Sequence, residues 1–209
     1  AATGAKNTTF SYFIRPGDPK KLVINYMGGG ACWNQGNCFG PNTGTYFNAM
    51  SMLTPLAMKF AFSGGILDTT NPNNPLSGYT VIFIPYCTGD LHWGSNDAVY
   101  NSTTNSFNGD TAAGGTIHHR GFDNSLAVIN DLMTSYPAPT KVLITGQSAG
   151  GYGAIFNAPY IMEKLGGYGT STDYSVISDA SAGVTPTGFN NSVDPIWGLT
   201  AGHSMAGGV

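Results

Sequence analysis

Apolar positions follow two spacings along the chain, alternating in some stretches and recurring every three to four residues in others, and the switches outline its elements. Thr8–Ile14 (TTFSYFI) alternates well enough for an edge strand, and the RPGDP run from Arg15 to Pro19 is turn chemistry. Leu22–Met27 (LVINYM) predicts a second strand, running into Gly28, Gly29 and Gly30. Tyr46–Phe62 predicts a short helix broken by Pro55, and Asn71–Pro75 a loop. Tyr79–Tyr86 (YTVIFIPY) is an almost unbroken β-branched and aromatic run, as in a strand buried on both faces. Asn101–Gly115 is polar and rich in Asn and Gly, so it reads as a long surface loop. Phe122–Tyr136 places Leu126, Ile129, Leu132 and Met133 at helical spacing, with Asp123 or Asn124 as N-cap. Lys141–Thr145 (KVLIT) predicts a buried strand, Ala149–Leu165 a helix ending at Gly166 and Gly167, and Tyr174–Ser178 (YSVIS) a further strand. After Gly183 the pattern decays into Thr, Gly, Asn and Pro, and no closing helix is predicted.

Strand, helix, strand, helix, strand over Tyr79–Asp179 implies an α/β sandwich on a mostly parallel sheet with right-handed crossovers. No repeat, charge block or Pro-rich linker interrupts it, so 1–209 reads as one domain, with 183–209 an irregular tail or the start of a missing segment. Of 209 residues 41% are hydrophobic and 12% aromatic, enough for a core. Only 9% are charged, and the net charge is -3 with scattered basic residues, which argues against a nucleic-acid site. No apolar run is long enough for a membrane span. Sparse charge with abundant Asn, Ser, Thr, Gly and Tyr suits a secreted protein, extracellular or periplasmic. Cys32 and Cys38 flank a five-residue loop, a spacing that permits a small disulfide; CxxC and HExxH pairings are absent, so zinc competes poorly. Cys87 is left odd.

Gly146–Gly150 (GQSAG) has the form G-x-S-x-G. Chance alone supplies about 0.3 matches to so short a pattern in a chain this rich in glycine, so context must decide. The motif stands where a strand ends and a small-residue helix begins, as a nucleophile elbow requires. Ser148 would then be presented at a helix N-terminus, whose free N–H groups favour a developing oxyanion. The rival is an ordinary Gly-Ser turn. Gly28–Ala31 follows an early strand, as the second element of such a site: the N–H groups of Gly30 or Ala31, with that of Ala149, would make an oxyanion hole. Phosphate-loop patterns are not matched there. Asp90, His92 and Trp93 lie just beyond the strand Tyr79–Tyr86, at the sheet edge where ligands bind, and with Gly29 are candidate substrate-binding residues. His118 and His119 precede Ser148, the reverse of the usual Ser, acid, His order, so a structural or substrate-facing role is favoured over catalysis.

Five stretches in order, NYMGGGACWNQGNC (Asn25–Cys38), IPYCTGDLHWG (Ile84–Gly94), HHRG (His118–Gly121), ITGQSAGGYGA (Ile144–Ala154) and SDASAG (Ser178–Gly183), resemble the pectin acetylesterase/Notum family. The resemblance implies a secreted serine esterase with a three-layer α/β-hydrolase-like fold. It implies Ser148 as nucleophile, Gly30, Ala31 and Ala149 as oxyanion hole, and a Cys32–Cys38 disulfide. Carboxylic esters, acetyl esters foremost, on a polysaccharide such as pectin are the implied substrate, hydrolysed through an acyl-enzyme without metal or organic cofactor. Family triads carry their acid and histidine well downstream of the serine, and after Ser148 this chain offers only Asp173, Asp179, Asp194 and His203. The chain is therefore expected to be C-terminally incomplete, with the mate of Cys87 also downstream; a triad of His203 with Asp179 or Asp194 is the competing expectation. Other readings are a non-catalytic carbohydrate- or lipid-binding protein of the same fold, a lipid-ester or polyester hydrolase, and a thioester or peptide hydrolase.

Overall fold

The structure, a computed structural model, describes residues 10–39, 64–101, 103–104, 111–112, 114–166, 171–182, 184–185 and 187–199. Its elements in chain order are β1 (Phe13–Arg15), β2 (Asp18–Tyr26), α1 (Gln35–Phe39), β3 (Tyr79–Ile84), β4 (Asn96–Tyr100), β5 (Thr103–Thr104), β6 (Thr111–Ala112), β7 (Gly115–His119), α2 (Gly121–Ser135), β8 (Lys141–Gln147), α3 (Ala149–Leu165), β9 (Asp173–Asp179) and α4 (Phe189–Trp197). The main sheet has the order β1-β3-β2-β8-β9. Short β1 pairs antiparallel on β3 at one edge; the other four strands run parallel. The fold is thus α/β on a mostly parallel sheet, as the alternation of strand and helix implies.

The strands at the centre are β-branched runs because both of their faces are covered. Leu22, Ile24, Tyr26, Ile82, Ile84, Val142 and Ile144 point to one face, where they meet Val128, Ile129 and Leu132 of α2 and Ala154, Ala158, Ile161 and Leu165 of α3. Each large aliphatic side chain buried there contributes about 1.5–3 kcal/mol. Val23, Val81, Phe83 and Leu143 point to the other face, against Leu67 and Leu76. Strand β2 pairs with β8 so that Tyr26 lies opposite Gly146, and β8 with β9 so that Gln147 lies opposite Asp179.

The first strand is shorter than expected, and β2 begins at Asp18, within the stretch expected as a turn. Three larger parts of the fold also depart from the sequence reading. First, helix α4 fills the region expected to stay irregular. Its Val193 and Trp197 are fully buried, and Trp197 meets the rings of Trp33, Trp93 and Phe189 edge-on. Tertiary packing makes this helix, for FNNSVDPIW has little intrinsic preference for one. Second, the stretch expected as a loop from Asn101 to Gly115 carries the short β5–β6 pairing, and β4 and β7 pair antiparallel on either side of it. Ala98, Tyr100 and Ile117 turn inward against the buried Cys32 and Cys38. Third, α2 begins at Gly121, one residue earlier than expected, and neither Asp123 nor Asn124 is its cap. Asp123 instead takes hydrogen bonds from Ser95 Oγ (2.6 Å) and Arg120 (3.0 Å). The expected helix at Tyr46–Phe62 and residues 8–9 of the expected first strand lie outside the described residues.

Candidate functional site

Strand β8 ends at Gln147 and α3 begins at Ala149, so Ser148 stands alone in the turn, with φ 55° and ψ −122°. A residue bearing a Cβ is strained in that region, and such strain persists only where the surroundings fix it. Here they do: Ser148 N–H donates to the Asp179 carbonyl (2.8 Å), and Gly151 N–H donates to the Ser148 carbonyl (2.9 Å). The side chain is exposed, and among the described residues its hydroxyl has no hydrogen-bond partner.

The glycines around the serine are there for space. A Cβ on Gly146 would stand 2.7 Å from the Tyr26 carbonyl oxygen, and one on Gly150 2.8 Å from the Met27 carbonyl carbon. On Gly151 it would meet Ser178 Oγ at 2.7 Å, and on Gly153 the His92 ring at 2.8 Å. The first turn of α3 therefore lies directly on the backbone at the end of β2 and against the small Ser178 side chain of β9.

The glycine loop after β2 lies beside the serine: a Cβ on Gly28 would be 3.3 Å from that of Ser148. Gly30 has φ 74°, the left-handed region that glycine enters without cost. Among the described residues, the N–H groups of Gly28, Gly29, Gly30, Ala31 and Ala149 have no acceptor. Unpaired donors around an exposed hydroxyl are what the stabilisation of an oxyanion needs. Ser148, Gly28, Gly29 and Asp179 also line one cavity of about 940 Å³, with Met27, Ile66, Leu67, Phe83 and Ile177 among its apolar walls.

Beneath the loop lies a buried polar clasp. Tyr86 Oη donates to the Gly30 carbonyl (2.7 Å) and accepts from Leu91 N–H (2.8 Å). His92 Nε2 donates to the Met27 carbonyl (2.9 Å), and Cys32 N–H donates to the Gly89 carbonyl (2.7 Å). The Asp90 carboxylate is wholly buried and accepts from Thr88 Oγ1 (2.6 Å), His92 N–H (3.1 Å), Gly94 N–H (3.1 Å) and Gly121 N–H (2.7 Å). The Cys32–Cys38 disulfide forms, with Cα atoms 5.1 Å apart, just after the loop.

The structure thus brings Ser148, its neighbour Ala149, Gly28 and Gly29 together, while Gly30 and Ala31 follow in the loop without lining the cavity and Asp90, His92 and Trp93 stand apart from it. Asp90 and His92 are spent on internal partners below the loop, and the Trp93 indole donates to the Tyr152 carbonyl (3.2 Å) while stacking on Phe156. None of the three lines the cavity that holds Ser148. His119 is fully buried, donating from Nδ1 to the Thr88 carbonyl (2.7 Å) and meeting Tyr100 Oη through Nε2 (2.8 Å). Burial holds the pKa values of His92 and His119 below that of a free histidine. His118 pairs with Asp97 (2.8 Å), whose carboxyl the Arg120 guanidinium holds well below the usual range. The Asp179 carbonyl anchors the serine turn, Asp194 sits on α4, and His203 lies outside the described residues. Tyr86 was not a sequence candidate, because a tyrosine ending an apolar strand reads as core. Among the described residues no three His, Cys, Asp or Glu side chains gather as a metal-binding group, and no helix is long and apolar enough to cross a membrane.

Two solved structures resembling this chain are crystal forms of the Wnt deacylase Notum from Drosophila. One has a TM-score of 0.53 and 16% identity, covering 95% of this chain and 60% of that one. The other has a TM-score of 0.55 and 18% identity, covering 90% of this chain and 54% of that one. At these identities the likeness is one of fold, and the chain spans less than two thirds of the length of either structure. No curated protein matches it. Residues 7–185 match the model of the family described as pectinacetylesterase. That span takes in every strand of the main sheet, and by it the chain belongs to the pectinacetylesterase family.

Proposed function

We propose that the protein is a secreted serine esterase that cleaves carboxylic esters, acetyl esters of a cell-wall polysaccharide such as pectin foremost. One observation carries the reading: an exposed Ser148 held at φ 55° beside a glycine loop whose N–H groups lack acceptors among the described residues. Ser148 Oγ attacks the ester carbonyl carbon while its proton passes to a general base. The carbonyl oxygen, now an anion, is received by N–H groups of Gly30, Ala31 and Ala149. Collapse expels the alcohol, which takes up the proton, and water then releases the acid from the acyl-enzyme. Gly29 lies on the path of the incoming acyl group. Membership of the family supports ester hydrolysis, and the disulfide supports an oxidising compartment. No step calls for a metal or organic cofactor.

A second reading, a non-catalytic binding protein of the same fold, is favoured by the histidines: His92, His118 and His119 are each engaged elsewhere. Fluorophosphonate labelling with p-nitrophenyl acetate turnover separates the two. The esterase reading expects labelling at Ser148 and turnover that Ser148→Ala reduces by several orders of magnitude. Absence of labelling, or an alanine variant retaining more than a tenth of the turnover, overturns it.

A further inference from the structure

The turn 86–94 is built at a cost. Leu91 and His92 both have positive φ, 58° and 62°, which side chains with a Cβ adopt reluctantly. A wholly buried carboxylate, Asp90, is committed to holding it, taking three backbone N–H groups and one hydroxyl. Gly94 and Gly121 leave room for it: a Cβ on Gly94 would stand 3.1 Å from Asp90 Cβ, and one on Gly121 2.9 Å from Asp90 Oδ2. Strain of this kind persists where a precise placement is required.

What the turn places is a bracket. His92 Nε2 holds the Met27 carbonyl, Tyr86 Oη the Gly30 carbonyl, and the Gly89 carbonyl the Cys32 N–H. These three contacts span the glycine loop and engage its carbonyls and its far end. The N–H groups of Gly28 to Ala31 are left unpaired among the described residues. A glycine-rich loop is otherwise the most conformationally free kind of backbone. We infer that Tyr86 and His92 are positioning residues that lock the glycine loop with its N–H groups presented beside Ser148. They touch neither substrate nor reacting atoms, and act through the carbonyls of Gly30 and Met27. The inference rests on the esterase reading for its consequence in catalysis, and on geometry alone for the locking.

The full chain is examined by ¹⁵N relaxation together with p-nitrophenyl acetate kinetics. In the wild type, Gly28–Ala31 should be as rigid as the sheet, with order parameters of about 0.85. Tyr86→Phe and His92→Phe each remove one hydroxyl or N–H donor and keep a ring, and should lower them below about 0.6. His92→Gln, which can still donate to the Met27 carbonyl, should restore most of the rigidity. Turnover should follow, kcat falling about 10- to 100-fold, somewhat less than on deleting an oxyanion donor, with KM changed less than about threefold. A wild-type loop already mobile overturns the inference, and so do folded Phe variants that leave the loop rigid. If a Phe variant fails to fold, the wild-type relaxation and the other variants decide. Wild-type turnover that does not depend on Ser148 sinks the esterase reading instead, while the relaxation data still judge the lock.

Discussion

Replacing Ser148 by glycine should give a more stable protein than replacing it by alanine, although both changes remove the hydroxyl. At φ 55° and ψ −122° a Cβ is strained by about 1–3 kcal/mol, and alanine keeps that strain whereas glycine releases it. Against this, glycine frees the unfolded chain by about 0.4–1 kcal/mol relative to alanine. The difference leaves about 1 kcal/mol in favour of Ser148→Gly. For a chain of 209 residues that is a rise in Tm of about 2–4 °C over Ser148→Ala. Thermal unfolding followed by circular dichroism, with urea titration to check that the m-value is unchanged, measures it directly. A glycine variant less stable than the alanine variant would show that the turn stores no strain, and the account of the serine's placement would fall with it.

Gly150→Ala drives a Cβ into the backbone at the end of β2, which cannot yield, and should destabilise by about 3 kcal/mol or more. Gly64→Ala meets nothing within 4 Å at an extended backbone and should be neutral or stabilising by up to about 1 kcal/mol in the same denaturant titration. Reducing the Cys32–Cys38 disulfide, which closes a small loop, should cost about 2 kcal/mol, seen as a drop in Tm with dithiothreitol that Cys32→Ser/Cys38→Ser reproduces. His92 and His119 are buried with lowered pKa values, so below about pH 6.5 the unfolded chain binds protons that the fold refuses. Stability should therefore be complete above that pH and fall as the solution is acidified toward the folded-state values. The slope should reach about 1.4 kcal/mol per pH unit for each histidine, and a stability that stays flat between pH 6.5 and 5 would refute it.

The core of the fold was legible because its elements are locally consistent. The run from Tyr79 is β-branched and buried on both faces, and the strand at Lys141 hands over to the helix at Ala149 through glycines whose crowding is now plain. Helix α4 was not legible: its hold comes from Trp197, whose indole donates to the Cys32 carbonyl (3.0 Å) across most of the chain's length. Strands β4 and β7 were missed because their apolar inward-facing residues are only Ala98, Tyr100 and Ile117, and the fourth, buried His119, is polar. At the site, Ser148 and the glycine loop announced themselves through spacing. The clasp did not, since Asp90 and His92 beyond a strand end look like a ligand's neighbours, and only their full burial reveals inward duty.

The pairing of Tyr26 with Gly146 sets both the glycine loop and the serine turn at one height, since each leaves the sheet immediately after its strand. Their separation is therefore measured out by the hydrogen-bond ladder between two neighbouring strands, and not by the length of any connection. Outside the glycine loop and the turn 86–94 that clasps it, the segments joining β2 to β3 and β3 to β8 can change in length or sequence while the loop and the Ser148 hydroxyl keep their spacing. The shape of the cavity is thereby decoupled from the geometry around Ser148, and a slip of one residue in that ladder would disrupt loop and turn together.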